Sequence, residues 1–250
     1  SSLFLGLFKS LTADPLLATC ETWMVWALLA YCQQPSWRRG ILFWFFAAFG
    51  MLTKGFPALL PLLGLIPVLW YFDRKNRVSS LLQMKAGWII FLTIGLGWYL
   101  AMAAMTPGLF QYFLVHETVD RMASSVHDRH APWHFFLWIL PLGIFPWSAF
   151  FLAGLGQLVR NRFGVNQTNR WILLLWIAVP FIILTLSQSK LATYALPFMV
   201  PIALIVGHLL DRFLHLAADE PFTFKVETSL TLVILAVAGV FSLFFAVSGS

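Results

Sequence analysis

Three cations and a few carboxylates stand out in this chain because so little else in it is charged. Lys54 sits in the turn Leu52-Thr53-Lys54-Gly55 between two apolar runs, and Lys190 sits in Ser187-Gln188-Ser189-Lys190 between two more. Arg121 follows His116-Glu117 by one helical turn inside a polar island, His116 to Trp133. Asp14 opens an apolar run at Thr12-Ala13-Asp14-Pro15, and Glu21 lies seven residues on, two turns down the same helical face. An ammonium in a tight turn between apolar arms is expensive without an anionic partner. An arginine grips a phosphate or carboxylate bidentately, whereas a lysine acts as a point charge. Lysine, lysine and arginine with nearby carboxylates therefore suit a lipid-linked phosphate and a hydroxyl acceptor. The cations would stabilise a phosphate leaving group as its charge develops, and a carboxylate would take the proton of the attacking hydroxyl.

Each of these residues also has a plainer reading. Lys54 could snorkel to a membrane interface. Asp14 at a helix start could cap the helix and suit its dipole. Glu117 and Arg121 could form an i,i+4 surface pair. His127, His130 and His134 have spacings that could hold a metal, but a zinc site needs closer convergence and supporting partners. Loop histidines at a wet interface are the ordinary case.

Composition decides where these residues work. The chain is 60% hydrophobic and only 10% charged, with mean hydropathy +0.82, against about 25% charged residues in a soluble domain. It is an integral membrane protein. Its basic residues fall in short clusters between apolar runs, which is a topology signal rather than a nucleic-acid patch. Cys20 and Cys32 would lie about 18 Å apart along one helix, too far to bridge. The apolar stretch Leu3 to Phe8 reads as the end of a longer hydrophobic element, so the sequence predicts an N-terminally truncated chain.

Hydropathy predicts an all-α bundle of about eight transmembrane helices, near 15–33, 41–53, 57–72, 87–105, 135–158, 171–187, 192–210 and 229–247. They form a single transmembrane domain over 1–250, with an outer-face loop at 106–134. The run 41–72 is too long for one ordinary crossing, and Lys54-Gly55 and Pro57 interrupt it, so it reads as a helical hairpin. Charge supports the split: it gathers 11 of the 16 lysines and arginines on one side, including Arg38, Arg39 and the Arg74-Lys75-Asn76-Arg77 cluster. The positive-inside rule makes that side cytoplasmic. Asp14, Lys54, Lys190 and the 116–133 loop then share the outer side. Pro141 and Pro146 should break the fifth helix near its outer half, and Pro197 and Pro201 the seventh. The freed carbonyls need protein or water partners, which implies a cavity there.

The same residues carry a family resemblance. The chain resembles the polyprenyl-phosphate-sugar glycosyltransferases of the GT-C type, especially aminoarabinose (lipid A) transferase-like and protein mannosyltransferase-like enzymes. The matching stretches are Thr12-Ala13-Asp14-Pro15-Leu16-Leu17, Leu52-Thr53-Lys54-Gly55, His116-Glu117 through Arg121, Pro132-Trp133-His134-Phe135-Phe136, Phe145-Pro146-Trp147-Ser148 and Ser187 through Pro197. They run in family order over about residues 10–205. The resemblance implies a GT-C-like fold and an undecaprenyl-phosphate sugar donor. It also implies transfer on the periplasmic face of a bacterial inner membrane to lipid A, a glycan or a protein. Lys54, Arg121 and Lys190 would hold the donor phosphate, His116, Glu117 and Tyr194 would line the same pocket, and Asp14 would be its acidic, tentatively catalytic, residue. Such enzymes usually carry their main catalytic carboxylate in a first outer loop, which would lie upstream of Asp14, so this fragment alone could be inactive. No cofactor is implied with certainty, and a divalent metal stays open. The rival readings are a lipid-phosphate carrier or flippase, which would place mid-membrane charges on two symmetric halves, and a non-catalytic membrane subunit.

Overall fold

The computed structural model describes residues 13–73, 75–106, 131–187 and 190–219. Among these the chain is helical and contains no strand. Helices α1 (Asp14–Gln33) and α2 (Trp37–Lys54) form an antiparallel hairpin. Ser36 caps α2 by accepting from the Arg39 N–H, which starts the helix four residues earlier than hydropathy alone suggests. At Gly55 the backbone takes φ +74°, a conformation that favours glycine, and α2 ends. A 3-10 turn (Phe56–Leu59) then leads into α3 (Leu60–Phe72). The expected break in 41–72 is present, at Lys54-Gly55.

A short helix, α4 (Arg77–Leu82), follows in the basic connection, where the sequence reading placed only loop. The Asp73 carboxylate nucleates it by accepting from the Lys75 and Val78 N–H groups at 3.1 and 2.7 Å, while Val78 and Leu81 are buried. Then come α5 (Lys85–Met105), α6 (Phe135–Gly143), α7 (Ser148–Val159), α8 (Gln167–Leu186), a second 3-10 segment (Ala192–Phe198) and α9 (Met199–Asp219). Helix α5 opens into a π turn over Phe91–Leu96, where Gly95 lies against Ala48. The prolines break the fifth expected helix into α6 and α7, bent by 118°. The Ser148 hydroxyl donates to the Pro141 carbonyl across the break, so protein does satisfy a freed acceptor.

Small residues set how closely the helices approach. A Cβ on Gly64 would stand 2.5 Å from the Leu175 carbonyl of α8, and one on Gly87 would stand 2.0 Å from the Trp44 ring. A Cβ on Gly154 would stand 2.4 Å from Ile205 of α9. Lipid offers little hydrophobic drive for helix association, so close backbone contact of this kind holds the bundle together. Two cores result. Met24, Val25, Leu28, Phe43, Trp44 and Leu65 centre the first, and Leu140, Phe151, Leu158, Phe198 and Ile205 the second. Helix α8 joins them, giving Ile172 and Trp176 to one and Ile177 to the other. The outside carries exposed Trp26, Trp70, Trp98 and Trp138, the surface of a protein bathed in lipid and its interface.

Among the described residues four helices are long and apolar enough to cross a membrane, or five if the bent α6–α7 pair is one span. Helices α2 and α3 fall outside that set, and the run at 229–247 lies outside the described residues. The chain is a polytopic helical membrane protein.

Candidate functional site

At the open end of the α1–α2 hairpin, three segments far apart in sequence meet on one ammonium. Helix α1 begins with Asp14, followed by Pro15, whose missing N–H costs nothing in a first turn. Helix α2 ends with Lys54. Because the hairpin is antiparallel, these two ends coincide, and Lys54 Nζ forms an ion pair with Asp14 Oδ1. The 3-10 segment after Lys190 packs against α1 and places the Tyr194 ring 4.2 Å from Lys54 Nζ, a cation–π arrangement. The side chains of Asp14 and Lys54 are 7% and 19% exposed, so the pair is shielded while the ammonium keeps some access.

The plainer readings of these two residues do not hold in simple form. Asp14 makes no side-chain cap bond; the cap position is Ala13, and Asp14 stands in the first turn with its carboxylate on Lys54. Lys54 does not snorkel alone, because its charge is already matched by a protein carboxylate. Glu21 lies deeper on α1, buried, and Oε2 of its carboxylate has no hydrogen-bond partner among the described residues. It is within electrostatic range of both Lys54 and Asp14. Between these two levels lies Cys20, and a Cβ on Gly50 would sit 3.4 Å from it. Both cysteines are free.

Lys190 is buried at the same end of the bundle, four residues before Tyr194, and its ammonium donates to the Ser187 carbonyl. Burial lowers its pKa from the ordinary lysine value. The structure thus brings Asp14, Lys54 and Tyr194 into contact and seats Lys190 on the adjoining turn. His116, Glu117 and Arg121, with His127 and His130, lie outside the described residues. His134 is described, at the cap position of α6 against Trp133. Among the described residues no three His, Cys, Asp or Glu side chains gather as a metal site.

One contributor escaped the sequence reading. Tyr99 of α5 donates its hydroxyl to the Met51 carbonyl at 3.2 Å, in the last turn of α2. That carbonyl also accepts from the Gly55 N–H at 2.7 Å, so Tyr99 braces the turn that carries Lys54. A hydroxyl-bearing ring in a charge-free span was the available signal. Chemically, the site is a partly shielded ammonium on a tyrosine face, matched by one carboxylate and backed by another. An arriving phosphate could replace Asp14 as the partner of Lys54 without leaving either carboxylate far from a cation.

No family model matches the chain. By sequence it is 35% identical over 166 residues to an undecaprenyl phosphate-alpha-4-amino-4-deoxy-L-arabinose arabinosyl transferase of Pseudomonas fluorescens, covering 65% of this chain and 29% of that protein. It is 34% identical over 192 residues to the transferase of the same name from Pseudomonas paraeruginosa, covering 76% of this chain and 34% of that one. The crystal structure of ArnT from Cupriavidus metallidurans bound to undecaprenyl phosphate superposes with a TM-score of 0.70. That match has 22% identity and covers 94% of this chain and 41% of the other. The chain spans about a third of the length of the relatives it matches. The shared fold is that of a polytopic membrane protein.

Proposed function

We propose that this chain, related in sequence to one segment of the undecaprenyl phosphate-aminoarabinose arabinosyl transferases, forms the donor-phosphate end of a membrane glycosyltransferase. The donor is a sugar on undecaprenyl phosphate, and the acceptor is a hydroxyl or phosphate of lipid A, with glycan or protein as wider possibilities. The site faces the periplasm from a bacterial inner membrane, a placement supported by the sequence, whose hydropathy assigns 11 of 16 lysines and arginines to loops on the opposite side.

The observation that carries this reading is the convergence of Asp14 and Tyr194 on the Lys54 ammonium. In the transfer, the acceptor oxygen forms a bond to the anomeric carbon as the bond from that carbon to the phosphate oxygen breaks. The electron pair goes to the departing polyprenyl phosphate, and the acceptor proton to a carboxylate. Lys54 holds the phosphate as that charge develops, with Lys190 and Arg121 as further cations and His116 and Glu117 beside them. Asp14, committed to Lys54, fits the role of positioning that ammonium before the donor arrives.

The test uses the full-length protein in membranes with a polyprenyl-phosphate sugar. Lys54→Ala should abolish sugar transfer and release of free lipid phosphate while membrane insertion persists. Lys54→Ala combined with Asp14→Ala removes the unpaired carboxylate and should be equally inactive. Near-normal turnover in both would sink the proposal. Donor movement across the bilayer without acceptor glycosylation would indicate a carrier instead.

A further inference from the structure

We propose that a cavity at the opposite, basic end of the bundle holds an anionic membrane lipid, its phosphate at Lys75 and Arg77 and one acyl chain between the two cores. The cavity measures about 800 Å³, within the range of roughly 300–1,000 Å³ common to ligand pockets. It opens between α1, α3, α8 and α9, and its lining divides by polarity. Lys75, Arg77, Asn169 and His208 mark the polar part. Leu69, Ile172, Trp176 and Leu204 form an apolar wall. Nothing in the phosphate site at the open end of the α1–α2 hairpin uses these residues.

The charges at the polar part are not balanced. Asp73 accepts from the N–H groups of Lys75 and Val78 and keeps its charge, so with Lys75 and Arg77 the three leave a net positive charge of one. Arg77 is anchored by the Cys32 and Gln33 carbonyls, which fixes the guanidinium at the cavity wall. Lys75 is exposed and has no ion pair among the described residues. Two cations beside an apolar slot at the end of a membrane bundle match a lipid headgroup with its chain. Basic pockets between membrane helices bind such headgroups by the same chemistry. A soluble anion would answer the cations but leave Ile172 and Trp176 uncovered. A zwitterionic lipid would fill the slot but gain little from Lys75.

The slot also lies along the seam between the two cores: Leu69, Ile172 and Trp176 belong to the first, and Leu173, on its wall, packs on the second. A lipid seated there would join the halves and raise the melting temperature, because it binds only the folded form.

The experiment is native mass spectrometry and thermal melting of the purified full chain with phosphatidylglycerol, phosphatidylcholine or inorganic phosphate. Phosphatidylglycerol should bind preferentially and raise the melting temperature. Lys75→Gln should weaken that binding about fivefold, the loss typical of one cation near a membrane surface, while leaving phosphatidylcholine unchanged. Leu204→Trp should weaken both lipids by narrowing the slot. Lys75 contributes only its backbone to the fold, so its variant should melt like the parent without lipid. Equal binding of the two lipids, an unchanged Lys75→Gln, or stabilisation by inorganic phosphate alone would overturn the proposal. So would failure to retain any lipid, the outcome if the chain's own segments cover the cavity.

Discussion

The two ends of this bundle use positive charge in opposite ways. At the basic end the cations are mostly arginines, and three of them are fastened to helix termini. Arg39 donates to the Ala30 and Gln34 carbonyls at the end of α1, Arg77 to Cys32 and Gln33, and Arg170 to Leu158 and Val159 at the end of α7. Helix-end carbonyls run short of intrahelical partners, and a guanidinium can serve two at once. At the other end the described cations are lysines. Lys54 is matched by one carboxylate and one ring face, and Lys190 donates to one carbonyl. An ammonium is a compact charge whose partner can be exchanged without dismantling a helix cap. One end is therefore built to hold helices in place, and the other to change partners.

Removing the exchangeable cation should have the largest effect. Lys54→Ala in the full-length protein should lower transfer by about 100- to 1,000-fold, the usual result of deleting one charge-stabilising donor. The assay is acceptor glycosylation at saturating donor. Arg170→Met makes the converse test. It removes two charge-assisted bonds at 2.8 Å and should cost about 2 kcal/mol of stability, read as a lower melting temperature. Donor binding by the folded protein should stay near normal. A loss of donor affinity as large as that of Lys54→Ala would erase the distinction between the ends.

Lys190 sharpens the comparison through pH. Burial lowers its pKa, so its charge is present at low pH and lost on the alkaline side before that of an ordinary lysine. Donor affinity should decline there, and Lys190→Arg, whose charge persists, should flatten that decline. Lys190→Ala should cost about tenfold in donor affinity at neutral pH, less than Lys54→Ala because Lys190 stands on the adjoining turn. An alkaline limb unchanged in the arginine variant would remove Lys190 from the site.

Much of this was legible because charge is scarce in the sequence. A lone lysine beside glycine in a long apolar run marked the break in 41–72, since neither fits the middle of a membrane helix. The prolines of 135–158 marked a break, although not its 118° angle, which depends on how α6 and α7 pack. The pairing of Asp14 with Lys54 was not legible. Forty residues separate them, and only the antiparallel closure of α1 on α2 makes them neighbours. Helix α4 was missed because its apolar residues are too few for a span; Asp73, which accepts two of its turn's N–H groups, was the overlooked cue. The reading of Asp14 as a cap followed from position alone, and the nearby ammonium outweighs that preference.

The finest test concerns Tyr99. Its hydroxyl reaches the Met51 carbonyl at 3.2 Å, one turn before Lys54, and so bears on the backbone of α2. Tyr99→Phe keeps the ring in the bundle and removes one hydrogen bond, worth about 1 kcal/mol. If that bond fixes where the ammonium stands, transfer should fall about fivefold with little change in melting temperature, because the Gly55 N–H still occupies the same carbonyl. The loss should appear in turnover more than in donor affinity, since an ammonium displaced slightly still attracts the singly charged phosphodiester of the donor but meets the second charge that develops on the leaving phosphate poorly. If melting falls while turnover per folded molecule holds, Tyr99 belongs with the arginines as a brace for helices. The lysine end would then owe its geometry to α1, α2 and the Tyr194 segment alone.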